Sequence, residues 1–216
     1  MEPLKRFIYA YDFDGTLTSS DSLLAFIRYA KGDLRFWLGM LWFSPLFVLM
    51  KLGHYSNSRV KEKVLTLFFR GTRIEDFNER CRQFAASHQH IFRPKAIEDL
   101  KEHLAKVAAS RLPEDGVFVV SASPSNWVIP FFSDLGLTAE EMRRLRFLCT
   151  EMEVAEGRVT GKFSTPNCYG PEKVRRLKEQ LRLTRSLYII TAYGDSRGDK
   201  ELLDFADVSH FKPFRE

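Results

Sequence analysis

Apolar residues fall into two kinds of pattern along this chain. Short runs are apolar at nearly every position: Phe7-Ile8-Tyr9-Ala10-Tyr11, Val117-Phe118-Val119-Val120, and Leu187-Tyr188-Ile189-Ile190 with its extension to Tyr193. Runs of that length, bounded by polar or turn-forming residues, fit strands buried on both faces, as in a parallel sheet. Longer stretches instead suit helices, with capping residues and stops at their ends. These predict helices over 21–31 (Ser19, Ser20 or Asp21 as cap), 56–70 (Ser56 or Ser58 as cap, Gly71 as stop), 73–92, ended before Pro94, and 95–110. Further helices are expected at 125–135, at 171–181 with Pro171 in the first turn, and at about 197–205. A strand over 147–154, a hairpin bracketed by Gly157 and Gly161, and a last strand near 207–211 complete the reading.

Apolar strands alternating with helices predict an α/β fold, a parallel sheet covered on both faces. No strand is expected between about 19 and 93. That stretch reads as a helical insertion, so the expected division is a core of 1–18 and 94–216 carrying a helical cap of 19–93.

One segment stands apart. "LRFWLGMLWFSPLFVLMKLG", residues 34–53, is apolar on every side, and from Phe36 to Met50 only Gly39, Ser44 and Pro45 interrupt it. Broken by a central proline, it is too short for an ordinary membrane span. The first expectation is a buried cap helix, or a helix pair bent at Pro45. The alternative is a surface that dips into a bilayer or holds an acyl chain, with Lys31, Arg35 and Lys51 suited to anionic headgroups.

The 216 residues suffice for one domain with a sizeable insertion. A net charge of +5 favours anionic partners without choosing among them. Nucleic acid is not expected, because the basic residues are spread out and no recognition motif occurs. Cys81, Cys149 and Cys168 show no pairing pattern, which points to a reducing compartment. The opening Met-Glu-Pro-Leu-Lys-Arg has no secretory signal character. A cytoplasmic location follows, with peripheral contact at the inner face of the membrane if the apolar segment faces lipid.

The chemistry gathers where the strands stop. The first run ends in Asp12 and Asp14, the second in Ser121 and the third in Gly194-Asp195-Ser196-Arg197-Gly198-Asp199. Ligands of open α/β sheets collect at such carboxyl ends. If the three strands are neighbours, four carboxylates share one crevice, and they cannot all stay ionised without a cation. An all-oxygen donor set selects a hard ion, Mg²⁺. The Ser121 hydroxyl, the Ala122 N–H and Lys173, in the first turn of a helix, could bind a phosphate there.

"DFDGTLT" resembles the first motif of the haloacid dehalogenase superfamily. "VFVVSAS" resembles the second, Lys173 the third and "YGDSRGD" the fourth. The order fits along the whole core, and the insertion after the first motif is similar to the C1 cap of subclass IB, the phosphoserine phosphatase-like group. The resemblance implies a Rossmann-like core and a Mg²⁺-dependent phosphomonoester phosphatase. Asp12 would be the nucleophile that forms an aspartyl-phosphate, and Asp14 the general acid and base. Mg²⁺ would be held by Asp12, the Asp14 backbone carbonyl, Asp195 and Asp199, the last as direct ligand or as support. Ser121, Ala122 and Lys173 would bind the phosphoryl group.

Two departures bear on substrate. Ser121 is followed by Ala122-Ser123-Pro124 where phosphoserine phosphatases usually have two glycines, and Gly15 stands where they often have serine. With the apolar segment and "NCYGPEKV", the chain looks more like the branch that includes bacterial phosphatidylglycerophosphatase C. A lipid or other amphiphilic phosphate is thus expected beside the alternative, phosphoserine or another small metabolite. The reading from a different class is a membrane-surface binding protein on a phosphatase scaffold.

Overall fold

The fold was determined as a computed structural model, which describes residues 4–110 and 112–215. Strand β1 (Arg6–Tyr11) is followed by a tight turn and four helices: α1 (Ser22–Lys31), α2 (Asp33–Lys51), α3 (Asn57–Phe69) and α4 (Ile74–Ser87). Then come α5 (Pro94–Ala109), β2 (Gly116–Pro124), α6 (Ser125–Val128), α7 (Ala139–Arg144), β3 (Leu145–Thr150), and a hairpin of β4 (Met152–Ala155) and β5 (Arg158–Phe163). The chain closes with α8 (Pro171–Gln180), β6 (Tyr188–Gly194), α9 (Lys200–Phe205) and β7 (Val208–Phe211).

The main sheet has the order β3-β2-β1-β6-β7, and every pairing in it is parallel. β1 is the central strand, and both faces of it are apolar. Ile8 and Ala10 join Phe118, Val120, Ile190 and Ala192 in a core closed by Leu177 of α8 and Leu202 of α9. Tyr11 points to the other side, with Val117, Val119 and the helices from α5 back to α1. This period of two explains why the strand sequences are apolar throughout. Because β1 lies between β2 and β6, the strand order reverses direction beside it, and a crevice opens at its carboxyl end.

The α1–α4 insertion enters and leaves the core through adjacent backbone. Ser19 N–H bonds Ile91 O at 2.7 Å, and Arg93 N–H bonds Leu17 O at 2.8 Å. The caps fall on Asp21 for α1 and Ser56 for α3, whose side chains accept from Leu24 N–H and Arg59 N–H. The expected helix at 73–92 stops at Ser87 and gives way to a short 3₁₀ turn at Gln89–Ile91. That at 125–135 is only α6 and a 3₁₀ turn through Pro130, which cannot donate to a helical ladder. The strand expected over 147–154 is divided between β3 and β4.

The hairpin leaves the sheet and packs on α3. Gly71 N–H bonds Val159 O, Val159 N–H bonds Thr72 O, and Phe163 N–H bonds the Glu62 carboxylate. Gly161 has φ +87°, and a Cβ there would lie 2.3 Å from Thr66 Cα.

The expectation that residues 34–53 are buried is overturned. They form one continuous helix, α2, and only 17% of its apolar window is buried. A stripe at helical spacing, Phe36, Gly39, Met40, Phe43, Leu46, Phe47 and Met50, packs inward. The opposite face is equally apolar and points to solvent: Trp37 is 62% exposed, Leu41 71% and Trp42 78%. A helix apolar all round has one face more than its neighbours can cover. Pro45 leaves the Leu41 carbonyl without its helical donor, and the Ser44 hydroxyl replaces that bond at 2.8 Å.

Gly161→Ala combines a left-handed backbone with a clash against backbone atoms of α3. It is expected to cost roughly 2–3 kcal/mol in urea unfolding. An unchanged midpoint would mean that the hairpin is not held against α3.

Candidate active site

β1 carries its chain straight into the crevice. Asp12 N–H bonds Tyr193 O of β6 at 2.9 Å, which extends the sheet ladder by one residue and fixes where the Asp12 side chain begins. Below it, Tyr11 stacks on Tyr193 at 4.3 Å, and its hydroxyl reaches Asp99 at 2.6 Å and His103 at 2.7 Å. That packed layer makes the strand end rigid. Beyond Asp12 the chain must turn at once, and Gly15 allows it with φ +84°. A Cβ at Gly15 would sit 2.5 Å from the Asp195 carboxylate, so only glycine lets the turn lie this close to the end of β6.

Sequence reasoning made the shared crevice conditional on neighbouring strands, and β2 and β6 do flank β1. One carboxylate oxygen from each of Asp12, Asp195 and Asp199 lies within 4.8 Å of the other two. Lys173, at the start of α8, is buried among them. Its ammonium bonds Asp12 Oδ1 at 2.5 Å, Asp199 Oδ1 at 2.6 Å and Val120 O at 2.8 Å, which uses all three of its donors. Asp199 is wholly buried. Its second oxygen accepts from the Asp195 N–H, the Ser196 N–H and the Ser196 hydroxyl. Asp199 therefore both pairs with the lysine and shapes the loop that presents Asp195.

Charge in this cluster is unbalanced. Burial pushes Asp12 up to about 8; Lys173 pulls it down, while Asp199 and Asp14 push it further up. Burial also raises Asp195, and Asp199 adds to the effect while Arg215, which contacts its carboxylate, opposes it. Burial alone would lower Lys173, but Asp12 and Asp199 outweigh it and hold the ammonium firmly charged. Three carboxylates around one lysine suit a hard divalent ion, which would let Asp12 ionise at neutral pH. The residues present thus fit Mg²⁺ by donor chemistry.

Asp14 takes a different position. Its Oδ1 accepts from the Ser22 N–H at the start of α1 (2.7 Å) and its Oδ2 from the Ser123 hydroxyl (2.5 Å). The carboxylate is thus directed away from the three-aspartate cluster, leaving the Asp14 backbone carbonyl as its offer to an ion. Behind it runs a chain of bonds. Trp127 Nε1 donates to Ser22 Oγ at 3.0 Å, Ser22 Oγ lies 3.3 Å from Ser123 Oγ, and Ser123 donates to Asp14. Ser123, noted in the sequence only as a departure from a glycine pair, holds Asp14 in place.

Ser121 is buried, and its oxygen accepts the Ser123 N–H at 3.0 Å. Ala122, with Asp12, Asp14, Lys173, Asp195 and Asp199, lines a cleft of about 520 Å³. The insertion contributes five residues to that cleft that the sequence does not single out as site residues: Ser19, Ser20, Asp21, Asn57 and Lys61. Lys61 of α3 reaches across to Ala122 O at 3.3 Å, and Asn57 Oδ1 is buried without a hydrogen-bond partner. Their one available signal was position, at the start of expected helices, which does not tell which end of a cap faces the core.

The model of the haloacid dehalogenase-like hydrolases matches residues 10–204. Protein CicA of Caulobacter vibrioides is 32% identical over 219 residues, spanning 99% of this chain and 88% of its own length. A crystal structure of a protein of unknown function from Bordetella pertussis Tohama I is similar with a TM-score of 0.76 at 19% identity, covering 95% of this chain and 89% of that one. A phospho-aspartyl intermediate analogue of phosphoserine phosphatase is similar at 0.58 and 19% identity, covering 95% and 85%.

Lys173→Met would leave two buried carboxylates without their cation. Breaking such a pair costs roughly 3–5 kcal/mol. Because Asp12 is already raised in the fold, it takes up a proton as pH falls. The loss in urea stability, measured without divalent ions, is therefore expected to be largest near pH 8 and to shrink toward pH 5. A pH-independent loss, or none, would contradict this account of the cluster.

Proposed function

The chain belongs to the haloacid dehalogenase-like hydrolases, and on that premise we propose that it is a Mg²⁺-dependent phosphomonoester phosphatase working through an aspartyl-phosphate on Asp12. The observation that carries the reading is the buried Asp12–Lys173–Asp199 arrangement beside Asp195, at the point where the strand order reverses. The accompanying division is a core of 1–18 and 94–216 with a cap of 19–93. The paired backbone at 17–19 and 91–93 supports it, and the β4–β5 hairpin lies against the cap side.

In the first step an Asp12 carboxylate oxygen attacks phosphorus and the ester oxygen departs with the bonding pair. Asp14, as the acid, gives that oxygen its proton. In the second step water attacks phosphorus of the aspartyl-phosphate while Asp14 takes the water's proton, and inorganic phosphate leaves with Asp12 restored. Lys173, the Ser121 hydroxyl and the Ala122 N–H would bind the phosphoryl oxygens. Asp12, the Asp14 carbonyl and Asp195 would hold Mg²⁺, with Asp199 positioned to support Asp195 and Lys173. The ion would supply neutralising charge so that one anion can approach another. Catalysis of this kind is chiefly positioning and charge compensation.

For the substrate, we favour an amphiphilic or lipid phosphomonoester such as phosphatidylglycerophosphate, handled at the inner face of the membrane by a cytoplasmic protein. The exposed apolar α2 favours this reading. Phosphoserine is the alternative, favoured by the likeness in fold to phosphoserine phosphatases.

Asp12→Asn is expected to abolish hydrolysis of an aryl phosphate, and chelation of divalent ions to do the same reversibly. Asp14→Asn should lower kcat by about 10²–10⁴-fold. Turnover of Asp12→Asn near the wild-type rate would refute the mechanism. A screen of phosphatidylglycerophosphate, lysophosphatidate and phosphoserine decides the substrate: a preference for phosphoserine would exclude the lipid reading.

A further inference from the structure

From the outward face of α2, we infer that this protein docks on an anionic lipid bilayer with α2 lying flat in the interface. The inference deepens the lipid reading of the substrate and rests on it for biological sense, but its geometry comes from α2 and its neighbours α1 and α3. No charged residue lies between Phe36 and Met50. Leu34, Trp37, Leu38, Leu41, Trp42 and Leu49 all face solvent, and Leu67 of α3 continues the patch at 52% exposed. Two tryptophans on one face suit the headgroup boundary, where an apolar ring with one polar N–H is at ease.

Orientation follows from packing. Gly39 sits so close to Phe68 that a Cβ would approach its ring to 2.3 Å, and the whole inward stripe of α2 is engaged with the cap. Spanning a bilayer would strip that stripe from α1 and α3, whereas lying flat uses the face that is already free. The Leu41 carbonyl released by Pro45 is satisfied by Ser44, so this face carries no unpaired backbone group there into an apolar medium.

Charge chooses the occupant. Lys31, Arg35 and Lys51 stand at the two ends of the apolar face, and a groove of about 390 Å³ runs from Lys31 and Arg35 to Trp42. Burial lowers the Lys31 ammonium most, and the nearby Arg80 and Arg35 add to the effect. Of the nearby acids, Asp33 pairs with Arg28 and Glu79 with Arg82, while Asp76 lies in the pocket beside Lys31 and Arg80. A symmetric contact between two copies would set these cations against each other in a protein already at +5; an anionic surface would neutralise them. α2 is ~28 Å long, and its carboxyl end leads through residues 52–56 into Asn57, which lines the cleft.

The test is flotation with vesicles of phosphatidylcholine alone or mixed with phosphatidylglycerol. Wild type is expected to float with the mixed vesicles, less so at high salt, and brominated acyl chains should quench Trp37 and Trp42, since Trp127 is wholly buried. Trp37→Ser/Leu41→Ser/Trp42→Ser should weaken binding about tenfold or more while leaving aryl phosphate turnover unchanged. Asp12→Asn should dock like wild type. Docking without any phosphatase activity would remove the proposed function and keep this inference. Failure to float, equal flotation of the triple variant, resistance to alkaline extraction (a spanning helix), or a dimer that the triple variant dissociates would each overturn it.

Discussion

The buried ammonium of Lys173 is the interaction on which the rest of this architecture depends. It sits between Asp12 and Asp199, all three nearly or wholly out of water. Its third bond goes to the Val120 carbonyl within β2. One side chain thereby joins the end of β1, the middle of β2, the turn after β6 and the first turn of α8. Placing like charges together is costly, and here it is tolerable only because each oxygen has a donor and the surplus negative charge can be met by a divalent ion. The same shortage of positive charge that makes the cluster expensive suits it to a divalent cation, as the proposed function requires.

Much of the local sequence serves that cluster. Gly15 and Gly194 lack the Cβ atoms that would strike the Asp195 carboxylate and the Asp199 Cβ, at 2.5 Å in each case. The stacked Tyr11 and Tyr193 fix the floor beneath it. Asp14 is kept apart from the cluster by Ser22 and Ser123, a separation that suits a proton carrier better than a metal ligand. Because Ser22 belongs to α1 and Ser123 to β2, Asp14 is held from both elements at once.

The strands and their polar ends were legible in the sequence, since residues buried on both faces must be apolar throughout and the exceptions mark the crevice. Asp12, Asp195 and Asp199 could be singled out because acids closing buried strands need a reason, and Lys173 because it stands in the first turn of a helix and resembles the third motif. Their roles as ligand, nucleophile or support were not legible in the same way: Asp199 both caps its turn and pairs with Lys173, and only geometry reveals that one residue does both. Ser123, Asn57 and Lys61 escaped notice because polar residues at strand and helix ends are common, and their meaning comes from what faces them across the fold. α2 misled for a related reason. Apolarity predicts burial only where there is surface to bury against, and the cap offers α2 partners on one side. The departure is informative, because this uncovered apolar face, flanked by cations, is the observation from which the docking proposal starts.

The account as a whole stands on Asp12 as the group that carries the phosphoryl. The most direct measurement is to quench turnover of a phosphomonoester in acid, reduce with borohydride, and map the modified residue by peptide mass spectrometry. The account predicts a single site at Asp12, present only when Mg²⁺ is supplied. A modified Asp14, or steady turnover with no covalent adduct on the chain, would contradict it.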